Sequence, residues 1–259
     1  MILKIEKTLI LTIVCLVSIT NNWGQEYKLS LDERPLYRVK KTHEDIVVDG
    51  KLNETSWGLA ESRTFNHHYF TQEPNDKQKT TFRILWDDKT IYLFYSSKDK
   101  YLTATEKEKD GTPFLDDCAE LFLIPIPNSL NMHFCFEINL YEAKNDIIFI
   151  NNFYNGNDAV VKAFNPDYQV KVITQGTIND NSDIDKGWTM EIAIPIETFR
   201  GSTSFHPVQT GTQWAFMALR QERNELKQGR RVISSIFPIE DIKKGVHQPN
   251  MFGLLEFID

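Results

Sequence analysis

The sequence predicts an all-β fold: a two-sheet antiparallel β-sandwich or jelly roll with one or two short helical turns. Three observations lead there. Roughly ten to twelve short runs alternate apolar and polar residues at the period of a strand. Turn residues separate these runs, and helical spacing never extends beyond a turn or two. The 259 residues include 17 Phe, 9 Tyr and 5 Trp, enough bulk to fill a core between two sheets. No internal repeat and no low-complexity tract interrupts the pattern.

At the N-terminus, Lys4 and Lys7 precede the apolar run Thr8–Ile19 (TLILTIVCLVSI). A positive start, a run too short for a bilayer, and the polar stretch Thr20–Gln25 read as a secretion signal over residues 1–25, cut near Gly24 or Gln25. Cys15 lies inside the apolar run behind Val14, where lipid attachment would call for a small residue at the run's end. The signal makes the protein exported: periplasmic, cell-surface or secreted, with no membrane span in the mature chain. Residues 26–42 are polar and basic, contain Pro35 and lack a clear period, and so predict an arm laid over the domain. The sandwich proper is placed at residues 43–259.

Within the sandwich, Asp45–Gly50 (DIVVDG) reads as a short strand ending in a turn. Leu52–Ala60 follows as one or two helical turns that bury Trp57, with Asn53 as N-cap and Glu54 in the first turn. Lys79–Trp86 and Ile91–Ser96 flank Asp87-Asp88 as a hairpin. Asp99–Thr112 is charged and reads as a loop. Strands then follow at Ala119–Ile126, Phe134–Leu140, Asp146–Phe153, Tyr168–Thr174, Gly187–Pro195, Gln213–Gln221, Val232–Phe237 and Phe252–Ile258, with a helical turn at Ile196–Arg200.

The chemistry concentrates in Gly111–Asn139 (GTPFLDDCAELFLIPIPNSLNMHFCFEIN). Two apolar strands here each carry a carboxylate, Glu120 and Glu137. Alternation puts Cys118, Glu120 and Phe122 on one face, and Cys135, Glu137 and Asn139 on one face of the partner. Paired as a hairpin, the strands line one patch with two carboxylates and a carboxamide. A Glu where an apolar residue is expected marks an edge or a ligand. Phe114, in the loop ahead of the first strand, is either packed core or a platform on which the C–H face of a sugar stacks. A hairpin turning near Asn128 would not set Cys118 directly against Cys135, so two buried thiols are expected over a disulfide.

A net charge of −7 and the lack of a basic patch argue against nucleic acid as partner. There is no Gly-x-Ser-x-Gly elbow, no His-Glu-x-x-His pair and no phosphate-cradling glycine loop. Glu120 and Glu137 are the only pair read as a possible glycosidase dyad, which would need carboxyls roughly 5–9.5 Å apart across a cleft. Asn179–Asp185 (NDNSDID) supplies oxygens suited to calcium, with Asp180, Asp183 and Asp185 as candidate ligands, although a solvated turn explains the same composition. Asp116-Asp117 is a second acidic candidate. Adjacent histidines or Met-His neighbours, His67-His68 and Met132-His133, point opposite ways along a strand. His247 stands near the C-terminal strand as a structural or ligand-contacting ring.

In order, IVVDGKLNETSW, RILWDDKTIYLFY, PFLDDCAELFLIP, FCFEIN, GWTMEIAIP, a Trp followed six residues later by Arg220, and HQPNMFGLLEF resemble the family 9-like carbohydrate-binding modules of the DOMON-like β-sandwich superfamily. The resemblance spans about Asp45–Asp259. It implies an exported, non-catalytic protein that holds sugar or oligosaccharide ends between aromatic rings in a slot, in polysaccharide use, often with structural calcium. It places the first clamp aromatic at Phe114 and the acidic contact at Glu120. The polar pair falls on Glu137 and Asn139, with Glu137 where better-known modules have arginine. Arg220 and His247 are weaker contacts. The second clamp position falls on Val246, which is not aromatic. Three other readings remain: a structural or interaction domain with a vestigial slot, a glycoside hydrolase, and a haem domain drawing axial ligands from His133 with Met190 or Met217.

Overall fold

The computed structural model describes residue 31 and residues 33–70, 77–128, 132–150, 159–204, 206–224 and 231–259. The signal over residues 1–25, with Cys15, lies outside them, as do residues 26–30 of the predicted arm. Fourteen strands are described: β1 Leu36–Lys41, β2 Arg63–Thr64, β3 His67–Phe70, β4 Thr80–Trp86, β5 Thr90–Ser97, β6 Cys118–Ile124, β7 Met132–Asn139, β8 Lys144–Ile150, β9 Ala159–Val161, β10 Gln169–Gln175, β11 Gly187–Pro195, β12 Gln213–Arg223, β13 Arg231–Ser235 and β14 Gly253–Ile258.

The back sheet runs β10-β11-β5-β4, with β2 on β4. The front sheet runs β14-β12-β6-β7-β8-β9, with β13 on β12 and β3 on β13. All these pairings are antiparallel. Strand β1 joins the two sheets and is parallel to both neighbours, pairing Leu36–Lys40 with β14 and Lys40–Lys41 with β4. Residues 36–41 are therefore not an arm over the domain but a strand within it. The signal was short but present: LYRVK alternates, and Tyr37 and Val39 are fully buried. The Tyr37 hydroxyl also accepts the Ile84 N–H at 3.1 Å, fixing β1 against β4.

The main core lies between the sheets, with Trp86, Trp188, Trp214, Phe82, Phe136, Phe199 and Phe216 among its rings. A smaller cluster forms where helix α1 (Thr55–Leu59) packs Trp57 on Leu85, Tyr92, Phe94 and Ala193. Glu191 anchors this cover by accepting N–H groups from Asp49 (2.9 Å), Gly50 (2.8 Å) and the Trp57 indole (3.2 Å). Two local expectations are corrected. Asp45–Gly50 forms no strand pairing; Ile46 and Val48 pack on the small cluster, and the chain bends at Asp49-Gly50. Glu54, not Asn53, stands at the N-cap position of α1 and makes no side-chain cap, while the Asn53 amide donates to Asp49 (3.2 Å). Among the described residues no helix is long and apolar enough to cross a membrane.

Candidate functional site

Register on the front sheet decides which side chains meet. Across β6 and β7, Cys118 faces Asn139, Glu120 faces Glu137 and Phe122 faces Cys135. Strand β12 sets Gln221 against Cys118, and β8 sets Asn145 against Glu137. Beyond β12, Ile233 on β13 faces Gln221, and Tyr69 on β3 faces Ile233. Beyond β8, Val160 on β9 faces Phe149. Directly opposed residues share a face, so these side chains all project from the side turned away from the back sheet. A cleft of about 1050 Å³ opens there, roofed by the loop around Asp110–Phe114 and by residues 242–247.

Its floor is a polar stripe. Glu120 and Glu137 are only 1% and 5% exposed. Gln221 donates its amide N–H to Glu120 (2.7 Å), and Asn145 donates to Glu137 (2.6 Å). Each carboxylate thus has a carboxamide that fixes its rotamer, and the two acids lie side by side on neighbouring strands. Buried acceptors need partners, and a row of carboxylates and amides suits a ligand with adjacent hydroxyls, each both donor and acceptor. Above the stripe, Phe114 sits half-buried in the 3-10 turn Pro113–Leu115 and lines the cleft. The loop carrying it is tied down by Glu106, whose carboxylate accepts backbone N–H groups from Lys107 (2.9 Å), Glu108 (2.9 Å) and Thr112 (3.0 Å). These bonds hold its pKa below the ordinary value. A side chain at Gly111 would collide with that carboxylate, 2.4 Å from where a Cβ would stand.

Val246 lines the cleft where the resemblance calls for a second ring, and it is aliphatic there too. Rings come from elsewhere. Tyr69 lines the cleft from β3, its orientation fixed by a hydroxyl that donates to the Ile239 carbonyl (3.1 Å) and accepts the Ile239 N–H. Phe149 lines it from β8 and stacks on His247, with ring centroids 4.0 Å apart. His247 also stacks on Phe122 (4.8 Å), and its Nδ1 lies 3.1 Å from Nε2 of His133. Burial lowers the pKa of His247 to about 3 and that of His133 well below 6.5, the latter helped by His247. Both rings are neutral at physiological pH, and His247 lines the cleft as an uncharged ring stacked on Phe149 and Phe122.

Phe114, Glu120, Glu137 and His247 converge on the cleft; Asn139 and Arg220 do not. Asn139 is fully buried, and its amide donates to the Glu106 carbonyl and to Asp116, both at 2.8 Å. Its oxygen accepts the Tyr141 and Ala143 N–H groups at 3.0 Å. All its capacity ties the cleft loop to the β7–β8 turn. Arg220 faces the back sheet, opposite Ala119, and pairs with Asp99 at 2.6 Å beneath Trp188. It is a core ion pair one residue away from Gln221, which sequence reasoning passed over. Tyr69 and Asn145 were also missed.

The metal and redox expectations meet the same test. Asp185 accepts the Leu102 (2.9 Å) and Thr177 (2.8 Å) N–H groups, and Asp180 closes a turn on Ser182 N–H (3.0 Å). With Asp183 exposed, these three carboxylates form no oxygen cage for calcium. Asp116 and Asp117 likewise accept backbone N–H groups from Glu106 and Thr103. Among the described residues no group of three or more His, Cys, Asp or Glu is gathered as a metal site. Haem does not fit either, since His133 is bound to His247 and Met190 and Met217 are fully buried in the core. Cys118 and Cys135 are free and buried. Burial, then the neighbouring Glu120 and Glu137 charges, push both thiols well up, so they stay protonated.

The family described as "Carbohydrate family 9 binding domain-like" matches residues 48–259. The chain belongs to that family. No curated protein matches it. Solved structures share the fold of this family 9 domain, the following three among them. A carbohydrate-binding module of family 9 from Caldicellulosiruptor kristjanssonii in complex with cellotriose superposes with a TM-score of 0.58 at 15% identity, covering 86% of this chain and 94% of that one. A module from the same organism in complex with glucose gives 0.57 at 15% identity, covering 85% and 95%. A putative carbohydrate-binding protein from Bacteroides uniformis gives 0.58 at 18% identity, covering 86% and 99%. Family 9 domains are carbohydrate-binding and typically non-catalytic modules.

Proposed function

We propose that this family 9 domain is an exported, non-catalytic protein that holds sugar or oligosaccharide ends in the front-sheet cleft, in polysaccharide use. The observation that carries the reading is the opposed pair Glu120–Glu137, each clipped by a carboxamide, at the base of a cleft walled by Phe114 and Tyr69. Phe114 and Tyr69 supply apolar faces for the sugar ring, and the stripe takes its hydroxyls. Lys4, Lys7 and the apolar run behind them support export.

The same pair argues against hydrolysis. Side chains directly opposed on neighbouring strands have Cβ atoms about 4.5–5.5 Å apart on one surface. A glycosidase needs its two carboxyls flanking the scissile bond, whereas here both approach a ligand from one side. Calorimetry of the purified protein against a broad saccharide panel that includes cello-oligosaccharides tests the reading. A saturable ligand is expected, weakened by Phe114→Ala. Silence across the panel would favour the second reading, an interaction domain with a vestigial slot, whose support is the aliphatic Val246 in place of a clamp ring.

A further inference from the structure

On the sheet itself, the side chains that flank the central polar stripe are apolar; Asp110, Thr112, Lys162 and Lys243 also line the cleft, outside the paired strands. On the β13 side the next residue is Ile233. On the β8 side Ile147, opposite Cys135, and Phe149 continue the face, and Val160 on β9 extends it. Ile242 and Val246 lean in from the covering segment. Apart from Phe149, which is stacked on His247, the neighbours of a sugar ring seated on Glu120 and Glu137 are branched aliphatic side chains. These offer neither a hydrogen bond to a hydroxyl nor a π face to an axial C–H. A hydroxyl buried against them loses water without a replacement partner, whereas a methyl there gains from leaving water.

We propose that the cleft takes a sugar end bearing an apolar substituent, a deoxy methyl or an O-acyl group, beside the hydroxyls held by Glu120 and Glu137. This rests on the sugar-binding reading above and adds the substrate class to it. The volume of about 1050 Å³ leaves room for such a group together with a second ring.

Matched pairs test it in calorimetry on the purified protein, all as methyl glycosides: L-fucose against L-galactose, L-rhamnose against L-mannose, and 6-O-acetyl-D-glucose against D-glucose. At least one substituted member binds about tenfold more tightly than its parent, the low end of what one methyl in an apolar pocket discriminates. The deoxy pairs report a methyl site and the acetyl pair an acyl site. Val160→Thr and Val246→Thr keep the branched shape but add a hydroxyl, and each shrinks the preference several-fold with the melting temperature retained. Two different sites guard against one variant misfolding. Parents that bind as tightly as their substituted partners in every pair overturn this inference and leave the sugar-binding reading standing. Absence of binding by every compound, together with silence across the broad saccharide panel, overturns both.

Discussion

Arg220 and Gln221 are neighbours on β12, yet they serve two buried polar clusters of opposite character. Arg220 enters the core between the sheets. It pairs with Asp99 (2.6 Å) and lies 3.8 Å from Glu222, while donating to the Lys98 carbonyl (2.9 Å) and Thr80 (3.2 Å). Asp117, pushed well up by burial and by the charge of Asp99, completes that cluster. Gln221 enters the cleft and clips Glu120. Both clusters are almost wholly withdrawn from solvent. The core cluster directs its groups at one another and at backbone, whereas the cleft cluster sits under an open volume. Burial of charge alone does not separate structure from function; what the charges face does.

The sharpest way to break this contrast is Arg220→Met. It leaves Asp99 and Glu222 buried without their cation, and removing one partner of such a pair costs about 3–5 kcal/mol. Urea denaturation should report that loss while the remaining folded protein keeps its saccharide affinity. Reduced affinity at full stability would put Arg220 in the ligand site after all.

Glu137→Gln should do the reverse. It preserves shape but replaces a carboxyl oxygen of the stripe with an amide N–H donor, and leaving a buried polar group without its partner costs about 1–3 kcal/mol, so affinity falls roughly 5- to 100-fold. The denaturation midpoint should move little. Glu120→Gln should behave alike, since the two acids hold equivalent positions.

The histidine pair tests the border between the clusters, because it underlies the cleft but acts on stability. Folded-state pKa values below the ordinary 6.5 mean that the unfolded chain binds more protons in acid. Their stabilisation is complete above pH 6.5 and is lost as pH falls, in the case of His247 toward about 3. For His247 alone the loss is about 2 kcal/mol at pH 5. Thermal denaturation across pH 4–8 should show this fall, and His133→Phe should remove the share that belongs to His133 while the share of His247 persists. The smallest expected effect is that of Phe114→Ala, which removes one stacking face worth about 0.5–1.5 kcal/mol beyond its buried area, for a several-fold affinity loss and little change in melting temperature.

Much of this was legible in the chain. Alternation in CAELFLI and FCFEIN set Glu120 and Glu137 on one surface, and the β6–β7 register opposes them directly. The expected turn near Asn128 indicated that Cys118 and Cys135 would not meet, and the register pairs them with Asn139 and Phe122 instead. What stayed hidden depends on long-range pairing. Tyr69 reaches the cleft only because β3 adds to β13, more than 160 residues later in the chain, and no local pattern encodes that. Arg220 and Gln221 exchange faces with a one-residue shift of register, which the run WAFMALRQ, buried on both faces, does not fix. Asn139 was placed on the right face, but its four hydrogen bonds to the neighbouring loops leave it no role toward a ligand. Strand β1 was missed because Pro35 and the flanking charges masked its alternation.

The most direct test of the central claim is a crystal structure with the tightest saccharide from the panel. The account predicts the sugar in the front-sheet cleft, with hydroxyls within hydrogen-bonding distance of Glu120 and Glu137 and a ring face on Phe114 or Tyr69. A saccharide bound on another face, with the cleft empty of it, would contradict the account.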